Sequence, residues 1–434
     1  MDTNTLATIV LLGSFVLMML TRIPVAFSLL LSAVFSALVC GQGLSTLVQQ
    51  MVKGIDNFTL LAIPFFIAMG EIMSIGGISN KIVDFANLLV GRFRGGLAYI
   101  NCLDSMFFGG ISGSAVADVS SLGSIVIPMM KKQGYDEDFA VGLTVVTSCQ
   151  GVLIPPSHNM VIYALAAGIG GSIAELLIAG VIPGMLLGFS LMTLCYFMSG
   201  KYKFPRCEPI PKNQRLKILI NAFFPMMTLV IIMGGVAMGI FTVTESAAIA
   251  CVYAFLLTYV IFRSASFKTL GTVLKNTLKT LAIVLTLIAA AKAFAYMMTL
   301  LRIPDAMTAT LTGITDNKYL LLFIINLLLM LLGCFMDMAP LILIMTPILL
   351  PVVTGPVVGM DPVHFGIMLI FNLAIGLCTP PVGSALFVGC AVGKTPIERT
   401  SIKILPMFAV MVAVLLLITY VPQVSMWLPG IIFK

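Results

Sequence analysis

The chain contains few charged residues and few of the side chains that build metal or nucleotide sites. Asp, Glu, Lys and Arg make up only 9% of its 434 residues, whereas a soluble domain carries about 25%. It has two histidines, no HExxH sequence and no glycine-rich phosphate loop, so zinc chemistry and ATP hydrolysis lack support. The nine cysteines form no CxxC pair, which is typical of small buried side chains.

Hydrophobic residues, by contrast, account for 60% of the chain, and its mean hydropathy is +1.12. Apolar runs of spanning length recur throughout, for example at 6–20, 218–236 and 408–421. Alternating ten-residue strands are absent from the sequence, which disfavours a barrel. The sequence therefore predicts an all-α polytopic membrane protein in a lipid bilayer, whose first apolar segment is retained as a span.

Two stretches of the sequence share one pattern. Asp136 and Asp361 are each followed nineteen residues later by a proline pair, Pro155-Pro156 and Pro380-Pro381. The pattern predicts a duplication in which each half contains a helix broken by prolines. Broken helices at matching positions of two halves point to a substrate and ion site in membrane proteins.

We predict two inverted repeats, 1–200 and 218–434, joined by a basic cytoplasmic linker at 201–217. Each repeat has five crossings, one of them broken, and one re-entrant hairpin. The hairpins are predicted at 97–130 and 319–356, and the broken helices at 137–168 and 362–392. Five crossings turn the second half upside down relative to the first, which is a transporter signature.

The basic residues orient this layout. With the N-terminus outside, most of the 24 Lys and Arg residues lie in inner loops or at inner span ends, as the positive-inside rule requires. The exceptions are Lys53, Arg302, Lys318 and Lys434 on the outer side and Lys292 deep within a span. Both termini are therefore predicted to face outward. The inner loops account for the net charge of +7, which needs no nucleic-acid partner.

The two hairpin tips are candidate cation sites. The first carries Ser112, Gly113, Ser114 and Asp118 in an apolar setting, where exposed carbonyls and hydroxyls suit a hard cation such as Na⁺. Packing through small residues is the alternative. The second carries Asp337, a lone carboxylate that is costly to bury unless it is paired, protonated or metal-bound. Capping of the following helix is the alternative there, and it is compatible with cation binding.

The broken helices supply further candidates. A proline pair removes two N–H donors, which frees carbonyl oxygens at Gly151, Val152, Gly376 and Leu377. Hydroxyls lie nearby on Ser157 and Thr379, and the following half-helix offers a partial positive charge to an anionic substrate. A simple proline kink is the alternative. We predict that Ser157 and Thr379 contact the substrate, and that Thr379 also contacts an ion.

Two basic residues are candidate substrate ligands. Lys292 could balance a substrate carboxylate, pair with Asp104 or Asp118, or extend outward to the interface. Arg302 stands at an outer helix end before Pro304. It could meet an anionic substrate in a bidentate contact or serve as an interface anchor.

Several segments resemble the large membrane subunit of tripartite ATP-independent periplasmic (TRAP) transporters. They are Gly134-Tyr-Asp136, Ile154-Pro-Pro-Ser157, Cys378-Thr-Pro-Pro-Val-Gly383 and the stretches 63–73 and 239–248. They occur in the expected order along nearly the full chain. Val243 and Ser246 depart from the usual proline and alanine in the last stretch, away from the candidate sites.

The resemblance implies an elevator-type transporter in the bacterial inner membrane. A transport domain of two hairpins and two broken helices would slide against a scaffold, driven by a Na⁺ gradient without ATP. The implied partners are a small four-helix membrane subunit and a periplasmic substrate-binding protein. The implied substrates are organic acids: C4-dicarboxylates, sialic acid, or other sugar or keto acids.

The resemblance also implies one ion site at Ser112, Gly113 and Ser114 with Gly151 and Val152, and a second at Asp337 with Gly376 and Thr379. A stand-alone permease of the same fold, which needs no binding protein, is the alternative. The chain is not expected to be an enzyme, since Asp104, Asp118 and Asp337 lie in no recognisable aspartyl-protease motif.

Overall fold

The computed structural model describes residues 3–202, 204–207 and 210–433, and these ranges contain helices and no strand. The first half comprises α1 (Thr3–Leu20), α2 (Val25–Val39), α3 (Leu44–Ile55), α4 (Ala62–Ile75), α5 (Ile78–Val90), α6 (Gly96–Ser112), α7 (Ala115–Lys132), α8 (Glu137–Ser148), α9 (Gln150–Leu153), α10 (His158–Ala166), α11 (Ile173–Ala179) and α12 (Val181–Tyr202).

The second half comprises α13 (Lys212–Ala237), α14 (Val243–Phe255), α15 (Leu270–Leu300), α16 (Ile303–Ile314), α17 (Lys318–Gly333), α18 (Met338–Thr354), α19 (Pro362–Leu377), α20 (Ser384–Gly393), α21 (Ile397–Tyr420) and α22 (Gln423–Ile432). Helix α12 ends at Tyr202 and α13 begins at Lys212, so each extends into one end of the predicted linker 201–217. Within that linker Lys203 lies outside the described residues, as do Glu208 and Pro209.

Seven helical segments of the described chain are long and apolar enough to cross a membrane, and the bent pair Glu137–Leu153 and His158–Ala166 makes up to eight. Five further apolar helices of the described chain are shorter, namely α2 and α17–α20. This agrees with a polytopic helical membrane protein. The count of ten crossings and the inverted orientation of the halves stay predictions.

Helices occupy the predicted hairpins and broken helices to within two residues at each end. Helices α6 and α7 pack on each other and are joined at Gly113, whose φ of 62° suits glycine. The first broken helix bends by 52° between Leu153 and His158. The second is interrupted between α19 and α20, and each interruption contains a cis Pro–Pro bond.

The two halves repeat two kinds of contact, made by residues that lie about 225 positions apart. Asp136 accepts a hydrogen bond from Phe139 N at 2.8 Å and so caps α8, and Asp361 caps α19 through Val363 N at 2.7 Å. Each first hairpin arm is also tied to its broken helix by a buried polar pair. In the first half Thr147 Oγ1 donates to Asn101 Oδ1 at 3.0 Å.

The equivalent pair in the second half is Asn372 Nδ2 donating to Asn326 Oδ1 at 2.9 Å. Asn326 and Asn372 follow Asn101 and Thr147 by 225 residues each. Repeated contacts at the same offset favour a duplication, because each half then builds its hairpin onto its broken helix in the same way.

The Asn326 pair permits a stability prediction. Asn326 Nδ2 also donates to Thr419 Oγ1 at 3.1 Å, and Asn326, Asn372 and Thr419 are all buried. Asn326→Ala leaves buried polar partners unsatisfied, so we expect a loss of about 2 kcal/mol of stability, seen as a lower Tm in detergent. Asn80→Ala, at an exposed position of α5, is the control. Equal Tm values for both variants would contradict the role assigned to this pair.

Candidate functional site

The first hairpin tip, residues 112–114, lies on the first helix break, residues 154–157. A Cβ on Gly110 would lie 3.1 Å from Pro155 O, and one on Gly113 would lie 2.5 Å from Pro156 O. About one helical turn before the break, in α9, a Cβ on Gly151 would lie 2.8 Å from Gly109 Cα. The hairpin and the broken helix therefore touch backbone to backbone, which only glycine permits at these positions.

The second tip, residues 334–337, contacts the second break, residues 378–383, in the same way. A Cβ on Gly376 would lie 2.6 Å from the carbonyl carbon of Gly333. Val382 N donates to Cys334 O at 3.0 Å. Glycine pairs at equivalent places thus bring each hairpin against its break.

The two breaks differ in whether their backbone carbonyl oxygens accept hydrogen bonds. Pro155 and Pro156 supply no N–H to the carbonyls four residues earlier, those of Gly151 and Val152. In the second break Gly376 O accepts from Thr379 N at 3.0 Å. Thr379 Oγ1 donates to Ile375 O at 2.8 Å, so its hydroxyl oxygen keeps lone pairs available.

Hydroxyls surround the first tip. Ser112 Oγ donates to Ser114 O at 3.4 Å, and Ser114 Oγ caps α7 by accepting from Ala117 N at 3.4 Å. Ser157 is fully buried, and its hydroxyl has no hydrogen-bond partner among the described residues. The described chain contains no cluster of three His, Cys, Asp or Glu side chains. A cation here would therefore rely on hydroxyl and carbonyl oxygens, which Na⁺ accepts.

Asp337 is not the buried carboxylate that the sequence suggested. It occupies the position before α18 but makes no capping hydrogen bond, and its side chain is exposed. Ser384 Oγ, at the start of α20, donates to Asp337 Oδ1 at 3.5 Å. The Asp337 carboxylate thus lies at the start of α18 within reach of the start of α20.

Two other aspartates, Asp104 and Asp118, are buried at 0% and 1% exposure. Neither has a hydrogen-bond partner among the described residues. Ser105 lies close to Asp118, but its hydroxyl donates to Thr147 at 3.2 Å. Asp118 lies in the first turn of α7, just after the tip. Neither Asp104 nor Asp118 forms an ion pair with Lys292 in the described part of the chain.

A cavity of about 910 Å³ opens beside both tips. One wall is formed by the hairpins and the first broken helix, and the other by α2, α4 and α15. Its polar lining comprises Glu71, Ser74, Ser112, Ser114, Ser120, Ser121, His158, Asn159, Asn276, Thr280 and Asp337. Three helices begin at this cavity: α7, α10 and α18 line it with their first residues. Helix N-termini attract anions, so three of them together favour an anionic ligand.

The predicted basic ligands lie elsewhere. No lysine or arginine appears among the described lining residues. Lys292 packs against α3, where a Cβ on Gly54 would lie 2.6 Å from its Cγ. Arg302 stands at the turn before α16 with φ of 53°. Ser157 and Thr379 are not among the lining residues either. Ser157 precedes the lining residue His158, and Thr379 follows the lining residue Leu377 by two positions.

Sequence reasoning missed the second wall of the cavity. Asn276 of α15 donates to Glu71 of α4 at 3.1 Å, which joins two helices of that wall. The one available signal was polarity within apolar spans, because Glu71 and Thr280 interrupt runs of hydrophobic residues.

Comparison with known proteins agrees with this architecture. Residues 12–424 match the family described as "Tripartite ATP-independent periplasmic transporter, DctM component". The chain is 39% identical to the sialic acid TRAP transporter large permease protein SiaM of Vibrio cholerae, covering 94% of each chain. It is 33% identical to the C4-dicarboxylate TRAP transporter large permease protein DctM of Rhodobacter capsulatus, covering 98% of this chain and 100% of that one.

Among solved structures, the YdaH transporter of Alcanivorax borkumensis aligns over 87% of this chain and 88% of its own, with a TM-score of 0.61 and 14% identity. That likeness concerns the fold alone. The family match and the two relatives cover nearly the whole chain, and the relatives are named as permeases. The chain therefore belongs to the DctM family, the large membrane component of tripartite ATP-independent periplasmic transporters.

Proposed function

We propose that this chain is the permease of a Na⁺-coupled secondary importer of organic acids. The observation that carries the proposal is the paired geometry of the site. Each hairpin tip rests on a helix break, and helix N-termini from both tips and from the first break converge on one cavity. Oxygen-rich breaks suit a hard cation, and helix N-termini suit a carboxylate.

Coupling follows from the position of the ions between tip and break. Na⁺ at Ser112, Ser114 and the carbonyls of Gly151 and Val152 would hold the N-terminus of α7 in place. A second Na⁺ at Asp337 and Thr379 would hold that of α18. The carboxylate site is then well formed only when Na⁺ is bound, so each ligand raises the affinity for the other.

The transport step would be an elevator movement. The hairpins and broken helices form the proposed moving part, and α2, α4 and α15 belong to the proposed scaffold. The scaffold residues that line the cavity, near Val25, Ser74 and Thr280, lie at inner span ends in the predicted topology. The cavity would therefore open to the cytoplasm, with both chain termini in the periplasm.

Thiol labelling tests this orientation. Thr280 is exposed and lines the cavity, and no native cysteine of the described chain does so. We expect Thr280→Cys to react with a membrane-impermeant maleimide in inside-out vesicles several times faster than in right-side-out vesicles. The unsubstituted chain measures background labelling. Faster labelling from the periplasmic side would contradict the orientation.

The proposed partners are a small four-helix membrane subunit and a periplasmic substrate-binding protein. The named substrates of the two relatives, sialic acid and C4-dicarboxylates, support the proposal of a carboxylate cargo. We expect uptake into proteoliposomes that hold both membrane subunits to require the cognate binding protein on the outside. Uptake of equal rate without the binding protein would instead identify a stand-alone permease.

A further inference from the structure

We propose that a groove on the protein surface of the first half binds one anionic diacyl phospholipid from the inner leaflet of the membrane. The groove lies between the α5–α6 connection and α12, apart from the transport cavity, and encloses about 660 Å³. Ligand sites commonly measure roughly 300–1,000 Å³. Its lining residues are Val90, Phe93, Arg94, Tyr99, Phe189, Met192, Thr193, Tyr196, Phe197, Ser199 and Gly200.

The long wall of the groove is aromatic. Phe189, Tyr196 and Phe197 of α12 are 56%, 69% and 68% exposed. Phe93 and Tyr99 face each other edge to face on the opposite wall, with ring centroids 6.4 Å apart. A concave surface with aromatic rings on both sides can hold acyl chains along its length, which a convex lipid-facing helix cannot do.

One end of the groove is polar and positively charged. Arg94 is exposed and is the one charged side chain of the described lining. No described acidic residue forms an ion pair with it. Ser199 is only 2% exposed, and its hydroxyl has no hydrogen-bond partner among the described residues. A Cβ on Gly95 would lie 3.0 Å from Ser199 Oγ, so that hydroxyl lies close to the residue next to Arg94.

This end fits a phosphodiester head group. A guanidinium binds phosphate oxygens through two parallel hydrogen bonds, and the Ser199 hydroxyl offers one more donor. The predicted topology puts Arg94 at the inner surface, where anionic lipids collect near basic residues. The charge also decides between occupants, because a hydrophobic helix of another protein would leave Arg94 without a counter-charge.

Lipid binding can be measured on the full chain by native mass spectrometry after delipidation in a neutral detergent. With added dioleoylphosphatidylglycerol, we expect one tightly bound lipid, and weaker binding of dioleoylphosphatidylcholine. Arg94→Ala should weaken phosphatidylglycerol binding about tenfold, the effect of losing one charge-assisted contact. Arg215→Ala removes an exposed arginine of α13 that does not line the groove and should leave binding unchanged. Equal weakening by both variants would overturn the proposal.

A second variant tests the apolar part separately. Thr193 is an exposed groove residue, so Thr193→Trp should fill the groove without disturbing the interior. We expect it to abolish tight lipid binding while Arg94 remains. Glycerol phosphate without acyl chains should not compete. Undiminished binding to Thr193→Trp, full competition by glycerol phosphate, or displacement of the lipid by the small membrane subunit would each refute the lipid site.

Discussion

Gly376→Ala should reduce Na⁺-driven uptake by at least about tenfold. Its new methyl group would lie 2.6 Å from the carbonyl carbon and oxygen of Gly333. Both are backbone atoms, so no change of side-chain rotamer can relieve the clash. Overpacking of this kind costs about 1–3 kcal/mol. To relieve this clash, the second hairpin tip must move away from the second helix break. That movement would separate the proposed ion ligands Asp337 and Thr379. Uptake into proteoliposomes at saturating substrate measures the effect.

The matched control is Gly313→Ala. Gly313 is also helical, and a Cβ there would meet nothing within 4 Å, so uptake should be unchanged or slightly higher through better helix propensity. Gly151→Ala, whose Cβ would lie 2.8 Å from Gly109 Cα, should reproduce the defect in the first half. Normal uptake by Gly376→Ala and Gly151→Ala would show that tip–break contact is not required for transport.

Asp337→Asn should raise the Na⁺ concentration for half-maximal uptake by about ten- to a hundredfold. Asparagine keeps the size of the side chain but removes the charge that faces Ser384 and the cavity. Loss of a charged partner typically costs about 1.5–3 kcal/mol, and each 1.4 kcal/mol is a factor of about ten. Uptake rates over a Na⁺ titration at constant ionic strength give the value.

Asp305→Asn serves as the comparison, because Asp305 is an exposed acid in the first turn of α16 and does not line the cavity. Its Na⁺ dependence should match that of the unsubstituted chain. If Asp337→Asn and Asp305→Asn gave the same half-saturating Na⁺ concentration, Asp337 would have no part in the ion site.

Most of the fold prediction rested on the two proline pairs and the aspartates that precede them. Pro155-Pro156 and Pro380-Pro381 remove helix donors wherever they stand, so both interruptions were predictable from local chemistry. The caps formed by Asp136 and Asp361 are equally local. The predicted bounds of the hairpins and broken helices lie within two residues of observed helix ends. Their re-entrant and inverted arrangement stays a prediction.

Short helices that do not span were missed. Helix α3 is amphipathic and carries Lys53 in its last turn, so it lacks the continuous apolar run by which spans are recognised. Lys292 packs on that helix at Gly54. Without α3, packing on a neighbouring helix was not among the alternatives considered for Lys292.

Tip contacts depend on residues far apart in the chain, and no local pattern encodes them. Gly109 and Gly151, like Gly333 and Gly376, meet because two elements pack closely. The duplication nevertheless held a signal, since the second pair follows the first by 224 and 225 residues. The buried Asn101 and Asn326 are also 225 residues apart, so a similar offset relates the glycine contacts and the asparagine contacts.

Capping boxes show the limit of short motifs. Thr242 and Glu245 form one, with Thr242 N donating to Glu245 Oε2 at 2.8 Å. The similar Ser172-Ile-Ala-Glu175 and Thr395-Pro-Ile-Glu398 segments make no such cap, and α21 begins after Pro396. The same sequence pattern therefore forms a capping box at Thr242 but not at Ser172 or Thr395.

The most direct test of the account is uptake of a radiolabelled carboxylate by proteoliposomes containing both membrane subunits and supplied with the binding protein. An inward Na⁺ gradient should drive accumulation, and replacement of Na⁺ by choline should reduce it to the level of protein-free vesicles, with no ATP present. Accumulation that is unchanged in choline, or that appears only when ATP is added, would contradict Na⁺ coupling at the two tips.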